Sequence, residues 1–170
     1  DWSSDVCSSD LPKAAAYLLA AYAEAFDKGD VFVCVVDPGV GGPRAALVVE
    51  ADGRWFVGPD NGLLTRVESS HPVTQAFEIG RQDTESGRVS DTFHGRDLFA
   101  PAGAWLSKGI PFDEIGKLLN NPLTLPPTRP VEVEPGHWQG RVLNIDRFGN
   151  LVTSFEAGRL GARAEIGRAH

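Results

Sequence analysis

A continuous apolar run, VFVCVVD (residues 31–37), follows a helical stretch and breaks into Asp-Pro-Gly; no other feature of the 170-residue sequence restricts the fold as much. Alternation would mark a strand with one wet face, whereas an unbroken β-branched run of this length marks a strand covered on both faces of a parallel sheet. The preceding PKAAAYLLAAYAEAF opens with proline. It places Tyr17, Leu18, Ala21, Tyr22 and Ala25 at helical spacing, which predicts an amphipathic helix with those residues inward. Helix followed by buried strand implies the α/β class. In RAALVVEADGRWFVGPDNGLL the Asp52-Gly53 pair signals a hairpin between two further strands, with Trp55 and Phe56 as ordinary core residues. A Pro-Asp-Asn-Gly turn comes next, and GLLTRV reads as a helix start. Further on, TFHGRDLFAPAGAWLSKG predicts a helix with Leu98, Phe99, Ala102, Trp105 and Leu106 on one stripe, and His94 and Arg96 near its start.

Five of the twelve prolines fall in NNPLTLPPTRPVEVEP, which makes residues 122–137 the expected linker between an α/β domain at 12–121 and a second, mostly β domain beginning at 138–170. In that second part GRVLNIDRFGNLVTSF alternates around an Asp-Arg-Phe-Gly-Asn break, as antiparallel strands do. Residues 1–11 and the closing EIGRAH resemble translated adapter sequence and are set aside from fold reasoning. For residues 1–11 the alternative is a disordered native terminus. In either case the natural chain is expected to extend beyond both ends.

A formal charge of −7 and a pI near 5.0 argue against unspecific binding to nucleic acid or anionic membrane. No apolar run approaches the roughly 20 residues that span a bilayer. Cys34 lies inside the apolar run as a small hydrophobe and Cys7 in the polar tract, so the two cysteines suggest no disulfide framework; a cytoplasmic location fits. The expected partner is a small molecule. Three polar groups interrupt apolar structure: Asp37 with Arg44, the Asp60-Asn61-Gly62 turn, and His94 with Arg96 and Asp97. In an open α/β sheet ligands bind beyond the carboxyl ends of the strands, where Asp37 falls. Each group also has a purely structural reading as a turn or local ion pair. A metal-dependent hydrolase using Asp37, Asp60, His94 and Asp97 is a further reading, although no metal-like spacing supports it.

Taken together, VVDPGVGGPR, FVGPDNGLLT, TFHGRDLFAP and IDRFGNLVTS, in this order from Val35 to Ser154, closely resemble the S-adenosyl-L-methionine (SAM) hydroxide adenosyltransferase family, relatives of the SAM-dependent fluorinases and chlorinases. The resemblance implies an N-terminal α/β domain with a central, largely parallel sheet flanked by helices, followed by a C-terminal β-barrel that is truncated here. It implies conversion of SAM and water to adenosine and L-methionine without cofactor or metal, in a homotrimer whose site lies between subunits. The family's water-handling Asp-Arg-His triad falls on Asp37, Arg44 and His94. By the same resemblance Asp146, Phe148 and Asn150 hold the methionine part of SAM, and Phe93 packs on the nucleoside. The halogenating relatives carry an aromatic and a hydroxyl residue in place of Asp37 and Val40, so the retained acid favours hydrolysis. A halogenase and a non-catalytic nucleoside-binding module are the alternatives. The family's N-terminal TDFG segment is absent from this sequence, as is most of the barrel, so the chain as it stands is expected to bind SAM poorly.

Overall fold

The computed structural model describes residues 11–64, 67, 73–80, 89–120, 130–145 and 148–155. The chain divides into two compact units, Asp1–Leu125 and Pro126–His170. In the first, α1 (Leu11–Ala23) precedes β1 (Val31–Val33), β2 (Ala46–Ala51), β3 (Arg54–Pro59) and β4 (Val73–Ile79). A π-helical turn (Gly95–Phe99) runs into α2 (Ala100–Ser107), followed by α3 (Phe112–Ile115) and β5 (Gly116–Leu118). The strands form one sheet in the order β1-β3-β2-β4-β5.

The sheet is mixed, which corrects the expectation of a largely parallel one. Only β1 and β3 run parallel, while β2 pairs antiparallel with both β3 and β4, and β4 pairs antiparallel with β5. The cause is the Asp52-Gly53 turn: both residues have positive φ (50° and 75°), and a two-residue hairpin can only return the chain antiparallel. A parallel neighbour needs a crossover, and β1 meets β3 only after the chain has passed through β2. Arg54 anchors this corner, donating from Nε and Nη2 to the Phe26 carbonyl (2.9 and 2.6 Å) and from Nη1 to Asp52 (2.8 Å).

Each face of the sheet has its own helical cover, sorted by the two-residue period of the strands. On one face Leu47, Val49, Ala51, Phe56 and Ala76 pack with Ala23 of α1 and with Leu63, Leu64 and Val67. On the other, Ala46, Val48, Val57 and Ile79 meet Leu98, Phe99, Ala102 and Leu106. The doubly buried strands are therefore β2 and β3. The run at 31–37 reaches strand geometry only at Val31–Val33, has one strand neighbour among the described residues, and leaves Val33 and Val35 nearly half exposed. Cys34 is half-buried against the core, and burial pushes its thiol up to about 12.

The inward face of α1 also differs from the sequence expectation. Pro12, Ala16, Ala20 and Ala23 are buried, whereas Leu18, Ala21, Tyr22 and Ala25 are exposed. In an alanine-rich helix the small side chains offer closer backbone approach than the large ones, and periodicity alone leaves the choice of face open. The stripe on the later helix behaves as read: Leu98, Phe99, Ala102 and Leu106 are buried and Trp105 packs against the same cluster. Gly103 lets α2 sit on β1, because a Cβ there would lie 2.5 Å from Val33 Cγ2.

The second unit contains two antiparallel pairs, β6 (Val131–Glu134) with β7 (His137–Gln139), and β8 (Val142–Ile145) with β9 (Leu151–Thr153). The strand pair around Asp-Arg-Phe-Gly-Asn follows the sequence reading. Residues 131–134 and 137 are strand within the span read as linker, since Val-Glu-Val-Glu alternates and Pro130 precedes the first strand position, where its missing N–H breaks no ladder.

Candidate functional site

Asp37 stands just past the carboxyl end of β1, at the start of a loop folded by its own backbone. Val40 donates to the Asp37 carbonyl (3.2 Å) and Gly42 to the Gly39 carbonyl (3.0 Å). Gly41, at φ 79°, brings this loop against the chain before the π-turn, because a Cβ there would lie 2.5 Å from the Asp91 carbonyl oxygen. Arg44 ends the loop and leads into β2. His94 caps the π-turn, and Phe93 accepts at its carbonyl from Arg96 (3.1 Å) and Asp97 (2.9 Å). Two distant stretches of sequence, residues 37–44 and 91–97, thus meet at one end of the sheet.

Asp37, Arg44 and His94 form a single hydrogen-bonded network there. Arg44 Nε donates to Asp37 Oδ1 (3.0 Å), and Nη2 contacts both Asp37 Oδ2 and His94 Nδ1, the latter at 2.7 Å. The Asp37 and Arg44 side chains are 4% and 10% exposed, and His94 is 1% exposed, so the network is shielded from bulk water. Guanidinium carries no acceptor, so the lone pair at His94 Nδ1 must receive the Arg44 proton. The ring proton then sits on Nε2. The Arg44 guanidinium also lies 5.3 Å from the Phe99 ring centroid, in cation–π range.

The other candidates are distributed differently. Phe93, next to His94, is 56% exposed, with the Arg96 guanidinium 4.7 Å from its ring centroid. Phe148 and Asn150 are exposed residues of the second unit, in the connection from β8 to β9, and Asp146 lies outside the described residues. The four residues of the metal reading do not assemble, because Asp97 binds the Ser90 amide (3.0 Å) and the Arg96 guanidinium, while Asp60 sits in the turn after β3. Among the described residues no three His, Cys, Asp or Glu side chains group as a metal site. Also among them, no helix is long and apolar enough to cross a membrane. The sequence reading missed the contact of Phe99 with Arg44, since an apolar stripe residue gives no sign of which cation lies on its face. A cavity of about 310 Å³ borders Arg44, lined also by Gly42, Glu78, Gly80 and Leu98.

Asp97 fixes the segment that carries His94. The Arg96 guanidinium first, and then the Ser90 amide, hold its carboxyl down to about 2, below the usual carboxylate value. Because the folded value is depressed, the stabilisation is present above the ordinary carboxylate value and is lost as pH falls toward 2. Asp97→Asn is therefore expected to be less stable than the parent at pH 5, with the gap closing by pH 2. Urea midpoints at the two pH values check this. A gap independent of pH would show that the charge of Asp97 is immaterial.

These features define an α/β protein with helices on both faces of a mixed sheet and a buried carboxylate–guanidinium–imidazole network at one sheet end. The chain belongs to the SAM hydroxide adenosyltransferase family, whose N-terminal domain matches residues 1–116. It is 39% identical over 161 residues to the (R)-S-adenosyl-L-methionine hydrolase of Thermus thermophilus, covering 90% of this chain and 61% of that protein. The fluorinase of Actinopolyspora mzabensis is 29% identical over 186 residues, covering 92% of this chain and 62% of the enzyme. Among solved structures, an uncharacterised conserved protein from Thermotoga maritima superposes with a TM-score of 0.77 at 37% identity, over 85% of this chain and 56% of the other. The chain thus spans about three fifths of the length of these relatives.

Proposed function

We propose that the full-length protein hydrolyses SAM to adenosine and L-methionine by attack of water on the ribose C5′ carbon. The observation that carries this reading is the sharing of one buried guanidinium by Asp37 and His94. The sulfonium of SAM already leaves well. Neutral water attacks poorly, so the protein's task is to orient it in line and draw off its proton. With Nε2 protonated, the His94 ring serves as a donor to the water oxygen. Asp37 is then the proton acceptor, since a carboxylate has about four lone-pair directions and Arg44 occupies only two. Arg44 aligns both partners and its positive charge stabilises the hydroxide as it forms. Base assistance of this kind is worth about 10²–10⁴ in rate.

A halogenase reading is disfavoured by Asp37 itself, whose charge would repel a halide placed at the same point. For the whole protein we assign the methionine part of SAM to Asp146, Phe148 and Asn150, and the nucleoside to Phe93. The second unit is read as the opening of a β-barrel. The assembly is read as a homotrimer with sites between subunits, located in the cytoplasm, with no metal or cofactor in the reaction. Full-length protein incubated with SAM is expected to release adenosine and methionine in equal amounts, at a rate unchanged by EDTA. Chromatography of the products is the test. Activity lost on chelation and restored by one metal would revive the reading of Asp37, Asp60, His94 and Asp97 as ligands.

A further inference from the structure

Asn61 holds the chain one residue before Asp37. Its Nδ2 donates to the Val36 carbonyl (2.8 Å), while its Oδ1 accepts from the Leu63 amide (3.1 Å), closing the Pro59-Asp60-Asn61-Gly62 turn. The preceding residue ties the other arm of the loop, for the Asp60 amide donates to the Ala45 carbonyl (2.9 Å), one residue after Arg44. One turn at the end of β3 thus brackets the 37–44 loop at both ends. Regular pairing of β1 with β3 stops at the Cys34 amide, bonded to the Val57 carbonyl (2.8 Å), so the Asn61 side chain continues the hold where the ladder has ended. An Asp37 carboxylate that must meet Nε and Nη2 of Arg44 in a fork tolerates little rotation of its backbone.

We infer that Asn61 is a positioning residue for Asp37, acting through the Val36 carbonyl; its kinetic part rests on the proposed hydrolysis. A side chain that acts only through another residue should lose its effect on turnover once that residue is disabled. Asn61→Asp keeps an acceptor for the Leu63 amide and removes the donor to Val36, and in Asn61→Ser the hydroxyl still offers an acceptor while its O–H, one bond closer to the backbone, falls short of the Val36 carbonyl.

In the full-length protein each substitution is expected to lower kcat about tenfold or more with KM for SAM changed less, and to have little further effect in an Asp37→Asn background. Independently of turnover, hydrogen exchange at the Arg44 Nε proton, followed by ¹⁵N NMR, should speed up about tenfold as the fork loosens. Equal kcat losses in both backgrounds would overturn the inference, as would an unchanged Arg44 exchange rate in folded variants. Unfolding of both variants would overturn it too, since the turn would then determine the fold before it positions anything. Absence of adenosine from the unaltered protein would sink the hydrolase reading, leaving the exchange measurement to decide the role of Asn61.

Discussion

Arg44→Ala should lower adenosine release by about 10²–10⁴, the range that proton handling contributes, and should also destabilise the fold by about 3–5 kcal/mol. The two effects have one origin. Removing the guanidinium leaves the Asp37 carboxylate, 4% exposed, with no cation, and takes away the proton that His94 Nδ1 accepts. A buried charge stripped of its partner costs far more than an exposed pair gains. Arg44→Lys separates the contributions, because an ammonium restores the charge without the planar fork that meets both Asp37 oxygens and His94 together. Lysine is expected to recover part of the stability and little of the turnover. Urea unfolding and product release, measured on the same preparations, distinguish the two. Near-normal turnover with lysine would mean that the forked geometry has no part in the chemistry.

Phe56→Ala should produce the largest loss of stability without touching the network, about 3–5 kcal/mol. Phe56 is fully buried in β3 and stacks on Phe32 of β1, with centroids 4.9 Å apart and planes within 9°. Phe32 in turn meets Phe26 edge-on at 5.1 Å, so these rings couple the end of α1 to both strands. Alanine leaves a ring-sized void beneath the helix, and strands held by hydrogen bonds cannot close over it. For a unit of this size the loss corresponds to a fall in Tm of roughly 6–20 °C. Phe56→Leu, which refills most of the volume, should restore the greater part. Thermal unfolding followed by circular dichroism measures both. A fall of only a degree or two for alanine would contradict the packing described for this face.

What could be read from the sequence follows a physical division between local and long-range information. The Asp52-Gly53 hairpin and the apolar stripe from Leu98 to Leu106 depend on a few neighbouring residues, and both formed as read. The direction of the sheet did not follow, because a buried apolar run reports coverage on two faces and is silent about whether its neighbours run parallel. The coverage expected at 31–37 falls instead on β2 and β3, each with a strand on both sides. On α1 the inward face carries Ala16, Ala20 and Ala23, and helical spacing alone does not separate that stripe from the one through Leu18, Ala21, Tyr22 and Ala25. At the site, the family resemblance marks Asp37, Arg44 and His94, and their convergence depends on the sheet bringing residues 37 and 94 to one end. The hold of Asn61 on Val36 spans 25 residues, and from sequence that turn showed only that it could satisfy backbone groups.

The proposed attack of water on C5′ of SAM, at the network of Asp37, Arg44 and His94, leaves its mark on the products. Mass spectrometry of products formed by the full-length protein in ¹⁸O-labelled water tests it most directly. Attack at C5′ gives adenosine carrying one ¹⁸O on the ribose 5′ oxygen and unlabelled methionine, both lost together in Arg44→Ala. Labelled homoserine with 5′-methylthioadenosine would put the attack on the methionine side of the sulfur, and labelled adenosine formed at an undiminished rate by Arg44→Ala would put the chemistry elsewhere; either result would contradict the account.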